Sequence, residues 1–257
     1  MNSFRRVIRK SPFYGFLKKL WAVNHAKQWT TKDQKMLVFY SQLIKPGDIC
    51  FDVGANVGNR TKIFLKLGAK VVSIEPQEDC VRSLRAIYGR DPRVVIIAEA
   101  LGAKDGEIDL MIGNASVISS ISEEWINAVK ASNRFPGYSW EQKQTVHMTT
   151  LDRIIQKHGI PSFIKIDVEG FEFEVIRGLL RPVNALSIEF VPEVIDTTFR
   201  CIDHLETLGT ICLNYSLEET MQFALDQWVT SEDMVRILLG FQKDNKIWGD
   251  VYVKFTK

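Results

Sequence analysis

The 257-residue sequence is poor in cysteine, and its four cysteines lack the Cys-x-x-Cys spacing of a metal site or a redox pair. The four histidines likewise show no metal-ligand spacing and no evident triad partner. We therefore predict no dedicated metal centre. We interpret Cys50, Cys80, Cys201 and Cys212 as reduced, mostly buried thiols of a cytoplasmic protein.

Long apolar runs are also missing. No segment approaches the roughly 18 consecutive apolar residues that a membrane-spanning helix needs. Charged residues interrupt the first segment before a signal-peptide-like apolar run can form. The sequence thus predicts a soluble or peripheral protein, whose 46% hydrophobic content is enough to bury a sizeable core.

A strong overall charge is absent too, since the formal net charge is +2, but the charge is unevenly distributed. Residues 1–35 hold nine basic residues and one acidic residue, a net charge of +8, so the remainder is mildly acidic. A nucleic-acid-binding enzyme would want its basic patch beside the catalytic site, so we predict no nucleic-acid partner.

The basic segment contains a predicted helix with the aromatic and aliphatic stripe Phe13, Phe16, Leu17, Leu20 and Trp21. Two interpretations stay open. The helix either packs over the acidic body, or makes peripheral contact with an anionic membrane through residues 1–35, at the inner face of that membrane.

Apolar runs that alternate with helical patterns from residue 46 onward predict an α/β fold with a doubly wound, mostly parallel, seven-stranded sheet. We predict a helical extension over residues 1–45, a main domain over residues 46–257 and an insertion at about 106–149. The predicted strands are Ile49–Val53, Val71–Glu75, Val94–Ala98, Phe163–Ile166, Ala185–Phe190, Thr210–Tyr215 and Asp250–Phe255. The main predicted helices are Asp33–Ile44, Thr61–Leu67, Asp79–Tyr88, Leu151–His158 and Asp196–Leu208.

The insertion is predicted to contain two short strands, Glu107–Ile112 and Thr145–Thr149, and a helix over Glu123–Ala131. A long excursion of this kind in a compact domain is either a functional cover or a surface elaboration. His147 lies on its second strand, and we favour a structural role for it over a place in the site.

A glycine-containing turn, Gly54 to Gly58, joins the first strand to a helix and is expected to aim backbone N–H groups at a ligand. Asn56 stands where a dinucleotide fingerprint has its second glycine, and Asp52 places a carboxylate where a pyrophosphate would lie. A carboxylate there favours a cation. S-adenosylmethionine has no phosphate and carries an ammonium and a sulfonium, so it fits this turn better than NAD.

Two acidic residues at the ends of the next strands complete the predicted cofactor site. Glu75 follows Gly54 by 21 residues and suits ribose hydroxyls. Glu99 is placed to accept a hydrogen bond from an adenine amino group.

The densest charge at a strand end lies in Lys165 to Gly170. Strand alternation puts Lys165 and Asp167 on one side, and Glu169 lies at the start of a helix. Carboxylates there can accept a proton, hold a divalent ion or bind a substrate, although charges at such ends are also common for structural reasons. We take Asp167, Glu169 and Lys165 as the candidate catalytic residues.

Five motifs in order resemble the FkbM family of methyltransferases: Phe51–Gly58, Ile74–Pro76, Ala100–Gly102, Thr150–Asp152 and Ile164–Glu172. The resemblance implies a class I S-adenosylmethionine-dependent fold and methyl transfer to a hydroxyl, often on a sugar or a polyketide. Gly54, Asn56 and Gly58 would border the methionine part of the cofactor, Glu75 would bind the ribose, and Asp167 and Glu169 would face a small-molecule or glycan acceptor.

Other functions stay open at this point. Methylation of nitrogen, on a small amine or a protein, requires the same cofactor. A scaffold that binds S-adenosylmethionine without catalysis would keep the fold alone, and an α/β enzyme that uses a nicotinamide or a nucleotide sugar is a further class.

Overall fold

The computed structural model describes residues 28–242, 244 and 246–256. The predicted amphipathic helix of the basic segment therefore lies outside the described residues. The strands are β1 (Ile49–Val53), β2 (Lys70–Ile74), β3 (Val94–Ile97), β4 (Ala100–Leu101), β5 (Gly106–Gly113), β6 (Trp140–Thr149), β7 (Phe163–Ile166), β8 (Ala185–Phe190), β9 (Ile211–Leu217) and β10 (Gly249–Phe255). The α-helices are α1 (Thr31–Tyr40), α2 (Asn59–Lys66), α3 (Glu78–Tyr88), α4 (Glu123–Ala131), α5 (Leu151–His158), α6 (Glu172–Arg177), α7 (Ile195–Leu208) and α8 (Ser231–Leu239).

Seven strands form the main sheet in the order β3-β2-β1-β7-β8-β10-β9. The neighbours from β3 to β8 are parallel, whereas β10 runs antiparallel between β8 and β9. The predicted doubly wound, mostly parallel sheet is confirmed, and β7 lies beside β1. The strand order reverses between these two strands, which is where such sheets bind ligands.

The central strands are buried on both faces because helices cover both sides of the sheet. All four residues of β7 are buried, as are the last four of β1. Helix α1 packs on one face through Phe39 and Tyr40, whose rings meet Phe64, Phe163 and Tyr252 with centroids 5.2–5.7 Å apart. Each edge-to-face pair of this kind contributes about 0.5–1.5 kcal/mol beyond its burial, so α1 is an integral layer of the domain.

The insertion forms its own three-stranded sheet, in the order β4-β6-β5, with α4 beside it. It packs on the main domain at Gly170, where an added Cβ would lie 2.3 Å from the Cβ of Trp125 in α4. The hydroxyl of Ser120 donates to the Glu169 carbonyl at 2.6 Å. Trp125 and Ser120 thus hold the insertion against the loop that follows β7.

Most predicted boundaries agree with the structure within two residues, and four differences stand out. Helix α1 ends at Tyr40 instead of Ile44, where the N–H groups of Gln42 and Leu43 donate to the i−3 carbonyls of Phe39 and Tyr40 and the chain tightens into a turn. Strand β6 begins five residues early, at Trp140. Its polar start pairs with β5 in the tertiary structure and carries no apolar alternation. Strand β4 and helix α8 were not predicted.

No helix within the described part of the chain combines the length and the apolar character needed to cross a membrane.

Candidate active site

A cleft of about 290 Å³ lies over the carboxyl ends of the central strands. Its walls come from the loops after β1, β2, β3 and β7, from β8 and β10, and from the insertion through Ser116, Val117, Ser119 and Ile121. The structure brings eight of the nine predicted site residues to this cleft: Asp52, Gly54, Asn56, Glu75, Glu99, Lys165, Asp167 and Glu169. The insertion therefore closes one side of the cleft.

The turn after β1 is shaped by left-handed backbone conformations, with φ of +78° at Gly54 and +48° at Asn56. A Cβ on Gly54 would lie 1.8 Å from the carbonyl oxygen of Asp167, so only glycine allows β1 and β7 to meet so closely at their ends. Asparagine is among the few other residues that tolerate the left-handed region. The predicted cofactor turn and the predicted catalytic loop therefore touch at Gly54.

Four backbone N–H groups of this turn already have partners within the protein. Gly54 and Ala55 both donate to the carbonyl of Ile74, at 3.0 and 3.1 Å. Asn56 donates to Glu75, and Gly58 donates to the carbonyl of Ala55 at 2.7 Å. The left-handed residues turn these four groups back toward β2 and the turn itself, so these four are not available to a phosphate.

Glu75 holds this turn from the end of β2. Its two carboxylate oxygens accept hydrogen bonds from the backbone N–H of Asn56 at 2.8 Å and of Gln77 at 2.7 Å. Burial raises the pKa of Glu75 to about 7; these two hydrogen bonds oppose the rise and the nearby Asp52 adds to it. A carboxylate has about four acceptor positions, so Glu75 can hold the turn and still accept hydrogen bonds from ligand hydroxyls. Glu99 lines the same end of the cleft.

Asp52 is 2% exposed and braces the start of α2. One of its oxygens accepts from the backbone N–H of Thr61 at 2.9 Å and from its hydroxyl at 2.6 Å. It thereby satisfies a donor of the first helical turn from a strand nine residues earlier. Asp52 thus has a structural role, and its carboxylate also lies in the cleft wall.

Gly58 is the one predicted site residue outside the cleft lining. It begins α2 with φ of +89°, and a Cβ there would lie 2.4 Å from the ring of Tyr88. The hydroxyl of Tyr88 donates to the Gly58 carbonyl at 3.0 Å. The structure therefore gives Gly58 a packing role against α3.

Lys165 links the two sides of the predicted catalytic region. Its side chain is 1% exposed, and its ammonium lies 3.2 Å from Asp167 and 2.8 Å from Asp250 on β10. The small side chain of Ser187, which is paired with Lys165 in the sheet, lies on the intervening strand β8. Strand alternation predicted correctly that Lys165 and Asp167 share a side. The partner Asp250 was not predicted, since it lies 85 residues away.

Three carboxylates surround the end of β7. Asp167, Glu169 and Glu189 each offer an oxygen, and these oxygens lie within 4.8 Å of one another. Burial, reinforced by the charge of Asp167, raises the pKa of both Glu169 and Glu189 well above the ordinary range of glutamate. The group can therefore share protons or, as an alternative, hold a cation.

Glu172 supports this loop from below. It is 5% exposed, and its carboxylate accepts hydrogen bonds from the backbone N–H groups of Val168 at 3.0 Å and Gly170 at 3.3 Å. Burial raises the pKa of Glu172 to about 7, against the opposing backbone hydrogen bonds. These bonds stabilise the loop in which Glu169 adopts a φ of +54°.

Other cleft residues had no identifying signal in the sequence. Arg60, Glu219, Trp248 and Ser116 all line the cleft. Arg60 follows the turn without being part of its glycine pattern, and the others lie in segments without a motif. His147 does not line the cleft. Its side chain is 76% exposed and lies 3.5 Å from Glu107.

The charged residues that line the cleft favour one class of cofactor over another. Eight acidic residues and three basic residues, Lys32, Arg60 and Lys165, line the cleft. This balance opposes a pyrophosphate and suits a ligand with a sulfonium and an ammonium. The strand order, the acidic residue at the end of β2 and this cleft together define the class I S-adenosylmethionine-dependent methyltransferase fold.

Comparison with known proteins agrees with this class. A model of the methyltransferase FkbM domain matches residues 52–223, well over half of the chain. The chain therefore belongs to the FkbM-domain methyltransferases. It is also 31% identical over 147 residues to the hexuronic acid methyltransferase AglP of Haloferax volcanii, covering 56% of this chain. The match spans 54%, about half, of that relative's length.

Solved structures with similar topology include precorrin-6y C5,15-methyltransferase from Geobacter metallireducens, with 11% identity and a TM-score of 0.47. The alignment covers 90% of this chain and 91% of that one. An O-methyltransferase from Bacillus cereus, solved in complex with SAH, is 11% identical with a TM-score of 0.44. That alignment covers 93% of this chain and 89% of the other.

Proposed function

We propose that this protein transfers a methyl group from S-adenosylmethionine to a hydroxyl group of a sugar or glycan. The observation that carries the proposal is the place of Asp167. It lies at the end of β7, where its backbone carbonyl approaches Gly54 of the cofactor turn and its carboxylate lies 3.2 Å from the ammonium of the buried Lys165. A carboxylate there lies between the part of the cleft assigned to the cofactor and the part left for an acceptor.

The cofactor site uses residues around the turn after β1. Asp52 and the acid-rich wall suit the cofactor's positive charges, Glu75 suits its ribose hydroxyls, and Glu99 suits its adenine. When bound, S-adenosylmethionine supplies an electrophilic methyl group. The residues of this chain must then orient the acceptor oxygen toward it and exclude water. Val117 and Ile121 of the insertion place apolar surface on the open side of the cleft, consistent with a cover.

Methylation of a hydroxyl releases one proton, and an alcohol gives it up reluctantly at neutral pH. Asp167 is the proposed acceptor of that proton. The Lys165 ammonium lies 3.2 Å from Asp167, while Glu169 and Glu189, with their raised pKa values, can remain protonated and donate hydrogen bonds to the sugar. If Asp167, Glu169 and Glu189 instead hold a divalent ion, that ion would acidify the hydroxyl in place of a direct base.

Support for a sugar acceptor comes from the relative named as a hexuronic acid methyltransferase. The test supplies S-adenosylmethionine with a panel of methyl glycosides, uronic acids among them, and measures S-adenosylhomocysteine release. Mass spectrometry and NMR then locate the new methyl group. We expect an ether on a sugar hydroxyl. A protein that binds S-adenosylhomocysteine but methylates none of these, nor any fraction of a cell extract, would be the scaffold.

A second candidate is N-methylation of an amine. The excess of acidic over basic residues in the cleft lining favours it, since a protonated amine is attracted to such a wall. Amino sugars and small amines in the same panel separate the two candidates, because an N-methyl product has a distinct NMR shift. A product methylated only on nitrogen would contradict the hydroxyl proposal.

A further inference from the structure

The three basic residues of the cleft lining differ in how closely carboxylates pair with them. Lys165 lies between Asp167 and Asp250, at 3.2 and 2.8 Å, and is neutralised by them. Lys32 and Arg60 share one carboxylate, Glu219: Lys32 lies 2.7 Å from it and Arg60 lies 3.8 Å from it. Two cations thus share Glu219 in this corner, and the charges of Asp250 and Asp167 also act on Arg60.

Most N–H donors of Arg60 have no strong hydrogen-bond acceptor among the described residues. Its side chain is 15% exposed, and its Nη1 donates to the sulfur of Met36 at 2.8 Å, a weak acceptor. The 3.8 Å to Glu219 is too long for a hydrogen bond. Its Nε is buried without a partner among the described residues. A guanidinium has five N–H donors, and buried donors of this kind are normally paired, so these point to a ligand oxygen.

The position of Arg60 and Lys32 in the cleft indicates which kind of ligand oxygen they would bind. Arg60 begins the helix after the cofactor turn, and Lys32 faces it from α1. A ligand carboxylate elsewhere in the cleft would meet the acidic wall, whereas here it would meet two cations that have only Glu219 as a close carboxylate partner. The planar guanidinium also matches a carboxylate with two parallel hydrogen bonds.

We propose that Arg60 and Lys32 form a carboxylate-binding subsite. Two ligands could supply the carboxylate: the methionine tail of S-adenosylmethionine, or the acid group of a uronic acid acceptor. The inference rests on the proposed function for both ligands.

Isothermal titration with S-adenosylhomocysteine and with 5′-methylthioadenosine separates the cofactor source, because only the first carries a carboxylate. Saturation-transfer NMR titrations of methyl glucuronoside and methyl glucoside, with the protein loaded with S-adenosylhomocysteine, separate the acceptor source in the same way. The variants are Arg60→Gln, Arg60→Lys and Lys32→Gln. Lys66→Gln is the matched control, since it removes one charge from the exposed face of the same helix.

We expect Arg60→Gln to weaken binding of one carboxylate-bearing probe about 10- to 150-fold, the loss of a hydrogen bond to a charged group. The matching neutral probe should bind as in wild type. Loss confined to S-adenosylhomocysteine assigns the subsite to the cofactor, and loss confined to methyl glucuronoside assigns it to the acceptor. Arg60→Lys keeps the positive charge but loses the planar guanidinium, so its affinity for the carboxylate probe should lie between those of wild type and Arg60→Gln.

The proposal is overturned if all three variants bind every probe like Lys66→Gln, or if a carboxylate probe and its neutral partner weaken equally. Should Arg60→Gln fold poorly, Arg60→Lys and Lys32→Gln give the same comparison. Failure of the proposed function gives a different result from failure of the subsite. A wild-type protein that binds S-adenosylhomocysteine through Arg60 yet methylates no hydroxyl would keep the subsite and lose that function.

Discussion

The two halves of the cleft are built in different ways. The half assigned to the cofactor, over β1 to β3, comes from one stretch of chain, with Gly54, Asn56 and Glu75 tied together by hydrogen bonds between neighbouring strands. The half assigned to the acceptor, over β7, β8 and β10, gathers side chains from distant segments, such as Lys165 and Asp250. Hydrogen bonds to the backbone shape the cofactor half, whereas pairs of buried charged side chains shape the acceptor half.

This difference bears on how each half responds to substitution. In the cofactor half a side chain both holds the turn and lines the cleft, as Glu75 does. In the acceptor half the charges hold one another, so removing one changes the charge state and position of the rest. The two halves meet where Gly54 contacts the Asp167 carbonyl, and the substitutions below are ways to separate them.

The largest effect is expected for Asp167→Asn. The change is nearly isosteric, so the variant should bind S-adenosylhomocysteine normally while methyl transfer falls about 10²- to 10⁴-fold, the usual contribution of a general base. Single-turnover transfer and calorimetry measure the two quantities. Asp250→Asn is the matched variant on the other side of Lys165 and should lose less.

Addition of EDTA to wild type distinguishes a direct base from a bound cation, since only the latter loses activity. An Asp167→Asn protein that turns over normally but melts at a much lower temperature would make Asp167 a structural residue.

Lys165→Met should lower the free energy of unfolding by about 3–5 kcal/mol, because it leaves Asp167 and Asp250 without their shared buried cation. Urea denaturation measures this. Lys143→Met is the control, since it removes an exposed lysine that is paired with Asp109 and should cost far less. Equal costs for the two variants would mean that the buried cation adds no stability.

Glu75→Gln should weaken S-adenosylhomocysteine binding about 10- to 150-fold, the value of a hydrogen bond to a charged group, with Glu78→Gln on the exposed start of α3 as the control. Unchanged affinity would remove Glu75 from the cofactor site.

The pH dependence follows from the pKa of Glu75 near 7. Ribose hydroxyls donate to the charged form, so wild-type affinity should rise as the pH increases through about 7, and Glu75→Gln should flatten this rise. For the ligand-free fold the sign is opposite. Because folding raises this pKa from 4.5, the group's contribution to stability is greatest below pH 4.5 and is lost as the pH rises through about 7. Calorimetry and urea denaturation across pH 5–8 test both directions.

The smallest effect is expected for Ser116→Ala. The hydroxyl of Ser116 donates to the side-chain oxygen of Asn56 at 3.3 Å and links the insertion to the cofactor turn. Its loss should weaken S-adenosylhomocysteine binding by about 0.5–1.5 kcal/mol, with Ser83→Ala on α3 as the control. No difference between the two would indicate that the insertion does not support the cofactor turn.

Much of the main sheet was predictable because its signals are local. The apolar runs of β1, β7 and β8 are bounded by turn residues, and their predicted limits agree with the structure. The start of β6 and helix α8 were missed. The polar start of β6 has no strand pattern of its own and forms only because β5 pairs with it.

The same division applies to the site. The sequence predicted that Asp52, Gly54, Asn56, Glu75, Lys165 and Asp167 would lie together, since parallel strands bring their carboxyl ends to one edge of the sheet, and all six line the cleft. Arg60 and Glu219 could not be identified in this way, because their relevance depends on a corner formed by α1, α2 and the loop after β9.

The sequence by itself determined the fold class, the cofactor turn and the charged end of β7, since each depends on residue types at short spacing. Only the tertiary structure decided what those residues do within the fold. It turned four N–H groups of the turn inward, placed Asp250 beside Lys165 across Ser187, and assembled Lys32, Arg60 and Glu219. The physical reason is that backbone propensity acts over a few residues, whereas buried charges select their partners by proximity in space, wherever those partners lie in the chain.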